Sequence, residues 1–211
     1  MKTSRASLDR QQVLRAALSL IDQSGLAALS MRALGASLGV QAMSLYEHVQ
    51  DKDAVLDGVV ELLVDEIDIP ESGDTGWRDF LMAMSRSYRA VALRHPAAFV
   101  LMVSRPLATP AALLRFETAL DGVRRAGFPP EAAPVVFLTI ESFTSGMALN
   151  EIAGSTALDL TGLDAADYPN VSALAPLVEQ AGPDDMFDAC LAAVVDGLGR
   201  LRTKPARPRK T

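Results

Sequence analysis

Apolar residues recur along this chain at the three- and four-residue spacing of helices. Val13, Leu14, Ala17, Leu18 and Ile21 share one face of a predicted helix over 9–24, which Gly25 ends. Met31, Leu34 and Leu38 stripe a second, short helix begun by Ser30 and ended by Gly39. A third runs from Gln41 to His48. A longer one spans 51–67, with Val55, Leu56, Val59, Val60, Leu63 and Val64 as its buried stripe. Prolines then divide helices at about 77–94, 96–103, 110–126 and 130–153. The polar stretch 154–171 is expected to be a mobile loop. A short helix over 172–181 leads to Gly182-Pro183 and a final helix through Leu201, apolar over a wide arc that includes Leu191 and Val195. The pattern predicts an all-α chain.

The stretch 30–52 carries the most specific signal. Two short helices meet at Gly39, a residue without Cβ where the chain must turn sharply. Gly35 inside the first helix costs about 1 kcal/mol relative to alanine. Close approach of the second helix, packed through Leu45, accounts for that cost. The combination spells a helix-turn-helix. In its second helix Gln41, Ala42, Met43, Ser44, Tyr46 and His48 mix small groups with hydrogen-bonding ones. Small residues admit the backbone to base edges, Gln, Ser and Tyr bond phosphates or bases, and Ala or Met touches a thymine methyl. Lys52, where the next helix begins, can pair with a phosphate. Met31 and Arg32, at the start of the first helix, complete the expected DNA-binding set. For Tyr46 the competing role is a half-buried anchor, for His48 a plain surface residue, and Glu47 is read as solvated.

Charge at first opposes DNA, since the net charge is −6. Its distribution answers the objection. Residues 1–50 hold five basic and three acidic groups, and the tail 203–211 holds four basic and no acidic ones, so an acidic middle backs a mildly basic head. The tail cannot build a core and is expected to be disordered. The 49% hydrophobic content suffices for a core. A single cysteine, Cys190, rules out an internal disulfide. The polar N-terminus lacks a signal-peptide core, and no apolar run reaches membrane-spanning length, so a cytoplasmic protein that does not enter a membrane is expected.

The motifs Arg15-Ala16-Ala17-Leu18, Leu29-Ser30-Met31-Arg32, Leu38-Gly39-Val40 and Ser44-Leu45-Tyr46-Glu47-His48-Val49 resemble the N-terminal domain of TetR-family transcriptional repressors. Weaker matches at Trp77-Arg78-Asp79-Phe80-Leu81, Ser104-Arg105-Pro106, Ala126-Gly127-Phe128 and Phe143-Thr144-Ser145-Gly146 look like the tetracycline-repressor type of C-terminal domain. The resemblance implies an N-terminal three-helix DNA-binding domain (1–50), a connecting helix (51–69), a larger helical ligand-binding and dimerisation domain (70–202) and the basic tail. It further implies a homodimer on a double-stranded DNA operator, released by a small-molecule effector.

Phe80, Met84, Tyr88, Phe99, Met102, Phe143 and Met147 are flexible or aromatic residues suited to an adaptable pocket, although each serves equally well as core. Tyr88, Arg105, Ser142, Thr144 and Asn150 are polar groups able to orient a ligand, and Arg105 matches an inducer-contacting arginine of the tetracycline-repressor branch. Three departures stand out. Leu101 occupies the place of that branch's metal-binding histidine, Met84 that of a drug-contacting asparagine, and Asn150 replaces an acid. A magnesium–tetracycline ligand is therefore not expected, nor any metal or cofactor, and the effector is expected to be apolar. The wide apolar arc of the last helix, with helix 130–153, is expected to form the dimer interface. An activator of the same fold is one alternative. A helical enzyme or binding protein is another, but the chain has only two histidines and no nucleophile or phosphate-loop motif.

Overall fold

The computed structural model describes residues 8–70, 76–154, 164 and 166–202. Among them all regular structure is helical: α1 (Arg10–Ser24), α2 (Met31–Leu38), α3 (Ala42–Leu45), α4 (Lys52–Asp65), α5 (Trp77–Arg94), α6 (Pro96–Ser104), α7 (Pro110–Arg125), α8 (Ala133–Ile152) and α9 (Pro169–Leu198), with 3-10 turns at Leu26–Ala28 and Gly199–Leu201. Most of the segment expected as a mobile loop and the whole basic tail lie outside the described residues.

The chain forms two compact units that interleave in sequence. The first comprises Met1–Asp68 and Val91–Glu117, the second Ile69–Ala90 and Thr118–Thr211. α6 and the start of α7 thus group with the N-terminal helices although they follow residue 70 in sequence.

In the first unit the helix starts are built as the sequence dictates. The Asp9 carboxylate accepts from Gln12 N at 2.7 Å while Gln12 reciprocates to Asp9 N at 3.0 Å, a complete capping box. Asp51 accepts from Ala54 N at 2.8 Å to start α4. The predicted stripe of α1 is buried, as are Val55, Leu56, Val59, Val60 and Leu63 of α4 and Phe99 of α6.

The second unit packs α5, α7, α8 and α9 around Phe80, Leu81, Val123, Val136, Ile140 and Phe187. Three arginines of α5 reach three aspartates of α9: Arg78 to Asp196, Arg86 to Asp188 and Arg89 to Asp184. Numbers rise along one helix as they fall along the other, so the two run antiparallel. Arg89 also grips Glu151 at the end of α8 with a two-bond fork, each bond 2.8 Å.

Several boundaries move. α9 opens at Pro169, since proline suits a first helical turn whose N–H needs no partner. It breaks at Gly182 (φ 70°) as expected, and tightens to a 3-10 turn after Leu198 rather than running on to Leu201. The wide arc of the last helix also has a different meaning. Leu191 and Val195 are fully buried within their own unit, in its core and not on its surface.

Candidate nucleic-acid interface

Ser30 caps α2 by accepting from Ala33 N at 3.1 Å. At Gly39 the backbone turns left-handed (φ 68°, ψ 28°), and Val40 N donates to Gly35 O at 2.9 Å. A Cβ at Gly35 would lie 2.9 Å from Val40 O and 3.1 Å from Ala42 N. The close approach inferred for Gly35 is real, but its partner is the backbone of the turn and of the first residue of α3, not the Leu45 side chain. Leu45 does anchor α3: it is fully buried, as is Leu34 of α2.

The second helix is shorter than expected. Regular α-helix covers Ala42–Leu45; Tyr46 N then bonds Met43 O and His48 N bonds Leu45 O, three-residue steps that tighten the end. Burial of the nine expected DNA-contact residues is uneven. Arg32, Gln41, Met43, Tyr46 and Lys52 are exposed, and Met31, Ala42, Ser44 and His48 half-buried, so none of the nine expected DNA contacts is lost to the core. Met43 is 73% exposed, a large apolar group that nothing in this unit covers. Lys52 opens α4, whose first turn is capped by the Asp51 carboxylate and also carries Asp53.

The expected effector set is divided. Phe80 and Met84 are buried in the core of the second unit, with Phe143 and Met147 packed against it. Phe143 lies 6.0 Å from Phe187, centroid to centroid. Tyr88 in the same unit shares a hydrogen bond of 2.9 Å with Ser145 and donates to Glu141 at 3.3 Å, and burial pushes its phenol well above the ordinary range. Thr144 is fully buried with its hydroxyl unpaired among the described residues, whereas Asn150 is exposed. Phe99, Met102 and Arg105 belong to the first unit. The Arg105 guanidinium rests on Asp57 (2.8 and 2.9 Å) and Asp53 (3.4 Å), an engagement the resemblance gave no sign of.

The acidic end of α4 holds no metal cluster among the described residues; Glu66 is taken by Arg94 at 2.6 Å and by His95 at 3.2 Å.

Residues 13–59 match the family model described as bacterial regulatory proteins, tetR family, and residues 69–202 that of the tetracyclin repressor-like C-terminal domain. The chain belongs to the TetR family. It is 34% identical to the class A tetracycline repressor from transposon 1721 of Escherichia coli, over 92% of each chain. It is 31% identical to the transcriptional repressor DrrR1 of Streptomyces coeruleorubidus, over 92% of this chain and 78% of that one. Among solved structures it resembles Streptomyces coelicolor ActR in complex with actinorhodin (TM-score 0.81, 28% identity, 95% of this chain and 100% of that one). It also resembles class A TetR in complex with 5a,6-anhydrotetracycline and magnesium (TM-score 0.67, 31% identity, 92% and 100%). As a member of the TetR family the protein is a ligand-responsive transcriptional regulator with a helix-turn-helix DNA-binding domain. No described helix is long and apolar enough to cross a membrane.

Proposed function

We propose that this TetR-family protein is a repressor, not an enzyme, which binds a palindromic operator as a homodimer and is released by a small apolar effector. The exposed side chains of Gln41, Met43 and Tyr46, with half-buried Ser44 between them, follow a tightly built turn and precede Lys52, and they carry the reading. A two-fold dimer pairs with half-sites about one helical turn, roughly 34–36 Å, apart.

The dimer surface is the outer face of α8 and α9. Val135, Leu138 and Leu149 stand exposed along α8, with Ser142 and Gly146 between them, while α9 exposes Ala189, Ala193 and Gly197 at four-residue spacing. Apolar ridges beside a small-residue groove suit an isologous four-helix contact.

The effector occupies the second unit beside Phe143 and Met147. The Thr144 hydroxyl, without a partner among the described residues, and the Tyr88–Ser145 pair offer it polar groups. The ActR and class A TetR structures hold actinorhodin and 5a,6-anhydrotetracycline, and the thioether and aromatic side chains here can repack around an apolar ligand. Release requires a coupling free energy of about 1–3 kcal/mol between effector and operator.

Footprinting on DNA flanking the gene, sedimentation, and operator titration with hits from a thermal-shift ligand screen test these points together. A protected palindrome, a dimer at micromolar concentration and hits that lower operator affinity are expected. A monomer on an asymmetric site, or ligands that stabilise the protein and leave operator affinity unchanged, would overturn the reading.

A further inference from the structure

α4 carries an acid at every fourth position: Asp53, Asp57, Glu61 and Asp65. The helical repeat sets them in one row, where like charges four apart cost the helix some tenths of a kcal/mol per pair. Each is met by an arginine from another segment of the same unit. Arg10 of α1 forks onto Glu61 at 3.0 and 2.9 Å. Arg115 of α7 lies 3.7 Å from the Asp65 carboxylate and donates to the Ile67 carbonyl beyond the helix end. Arg105, the C-cap residue of α6, spans two turns of the row by holding Asp57 and Asp53. Of the three grips it lies nearest Lys52, the end of α4 that follows the helix-turn-helix. Its pair with Asp57 is three-quarters shielded from solvent on both sides, so it is screened less than the pairs of a free surface.

We propose that Arg105 is a positioning residue for DNA binding, fixing the pose of α4, and with it Lys52 and the reading head, through Asp57 and Asp53. It touches no DNA. This inference rests on the DNA-binding reading for its affinity readout, and a second readout needs no DNA.

The experiment compares Arg105→Gln, Asp57→Asn, their combination, and the exchanged pair Arg105→Asp with Asp57→Arg. Arg86→Gln, which removes a similar arginine–aspartate fork in the second unit, is the control for loss of an ion pair alone. Operator affinity is measured across a salt series, and backbone amide exchange along α4 in the free protein. Arg105→Gln and Asp57→Asn should each weaken binding about tenfold with the salt slope unchanged. The combination should be no worse than either, the exchanged pair should recover most of the loss, and the control should bind normally. Amides of α4 should exchange faster in Arg105→Gln and not in the control. Unchanged affinity in Arg105→Gln, a salt slope lowered by about one (the mark of a lost phosphate contact), or no recovery in the exchanged pair would overturn the proposal. If the wild-type protein binds no DNA, the repressor reading fails, and unaltered α4 exchange in Arg105→Gln would then overturn this inference independently.

Discussion

Gly35 and Val40 meet twice across the turn of the helix-turn-helix. Val40 N donates to Gly35 O at 2.9 Å, and Val40 O lies where a Cβ on residue 35 would approach within the same distance. The obstacle is backbone held by a hydrogen bond, so it cannot swing aside as a side chain would. Gly35→Ala should therefore push α3 away from α2, costing about 1–3 kcal/mol as an overpacking strain and abolishing operator binding while leaving the chain folded. Thermal melts and operator titration of the same variant check both halves.

Reading and anchoring separate by residue. Met43→Ala and Ser44→Ala should alter sequence preference, each by about 1–3 kcal/mol at one base pair, because Met43 stands exposed on α3 and Ser44 keeps part of its surface open beside it. Lys52→Ala should weaken all sites alike and lower the salt slope by about one. Binding to a library of single-base operator variants at two salt concentrations distinguishes the two behaviours.

The dimer face can be probed away from the core. Leu138 is 58% exposed, so Leu138→Glu should yield a folded monomer with lost operator affinity. Leu191 is fully buried, and Leu191→Glu should unfold the second unit, since an unpaired buried carboxylate costs several kcal/mol. Sedimentation together with circular dichroism tells these outcomes apart. A folded Leu191→Glu monomer would return the interface to the buried stripe.

Acid should loosen the first unit through Glu61. Its hydrogen bonds from Arg10 hold the carboxyl below the ordinary carboxylate range in spite of burial. A lowered native value means the contribution is present above the unfolded value and is lost as pH falls through the native one. Arg10 is 42% exposed, which limits the effect to about 1 kcal/mol. Glu61→Gln should accordingly be less stable than wild type at neutral pH, with the gap closing below about pH 4. Urea melts over that range measure it.

The sequence by itself determined most of the local structure and the reading head. Ser30 announces a helix start because a short side-chain oxygen can satisfy an orphan amide there, and Asp9 and Asp51, expected within their helices, cap them in the same way. Gly39 and Leu45 mark the turn and its anchor, for turn sterics and the helical repeat are local matters. What lies beyond one helix was decided by tertiary structure. Periodicity shows that α8 and α9 are apolar on several sides, yet only packing against Phe80 and Phe187 sends Leu191 inward and leaves Leu138 outside. The α4 acids are visible as a row, but the arginines that answer them lie about fifty residues away on either side. Arg105 could be matched to an effector contact by resemblance, whereas its grip on Asp57 arises only when α6 folds back onto α4. Charge pairing at that range depends on where helices come to rest against one another, and no spacing within a single helix encodes it.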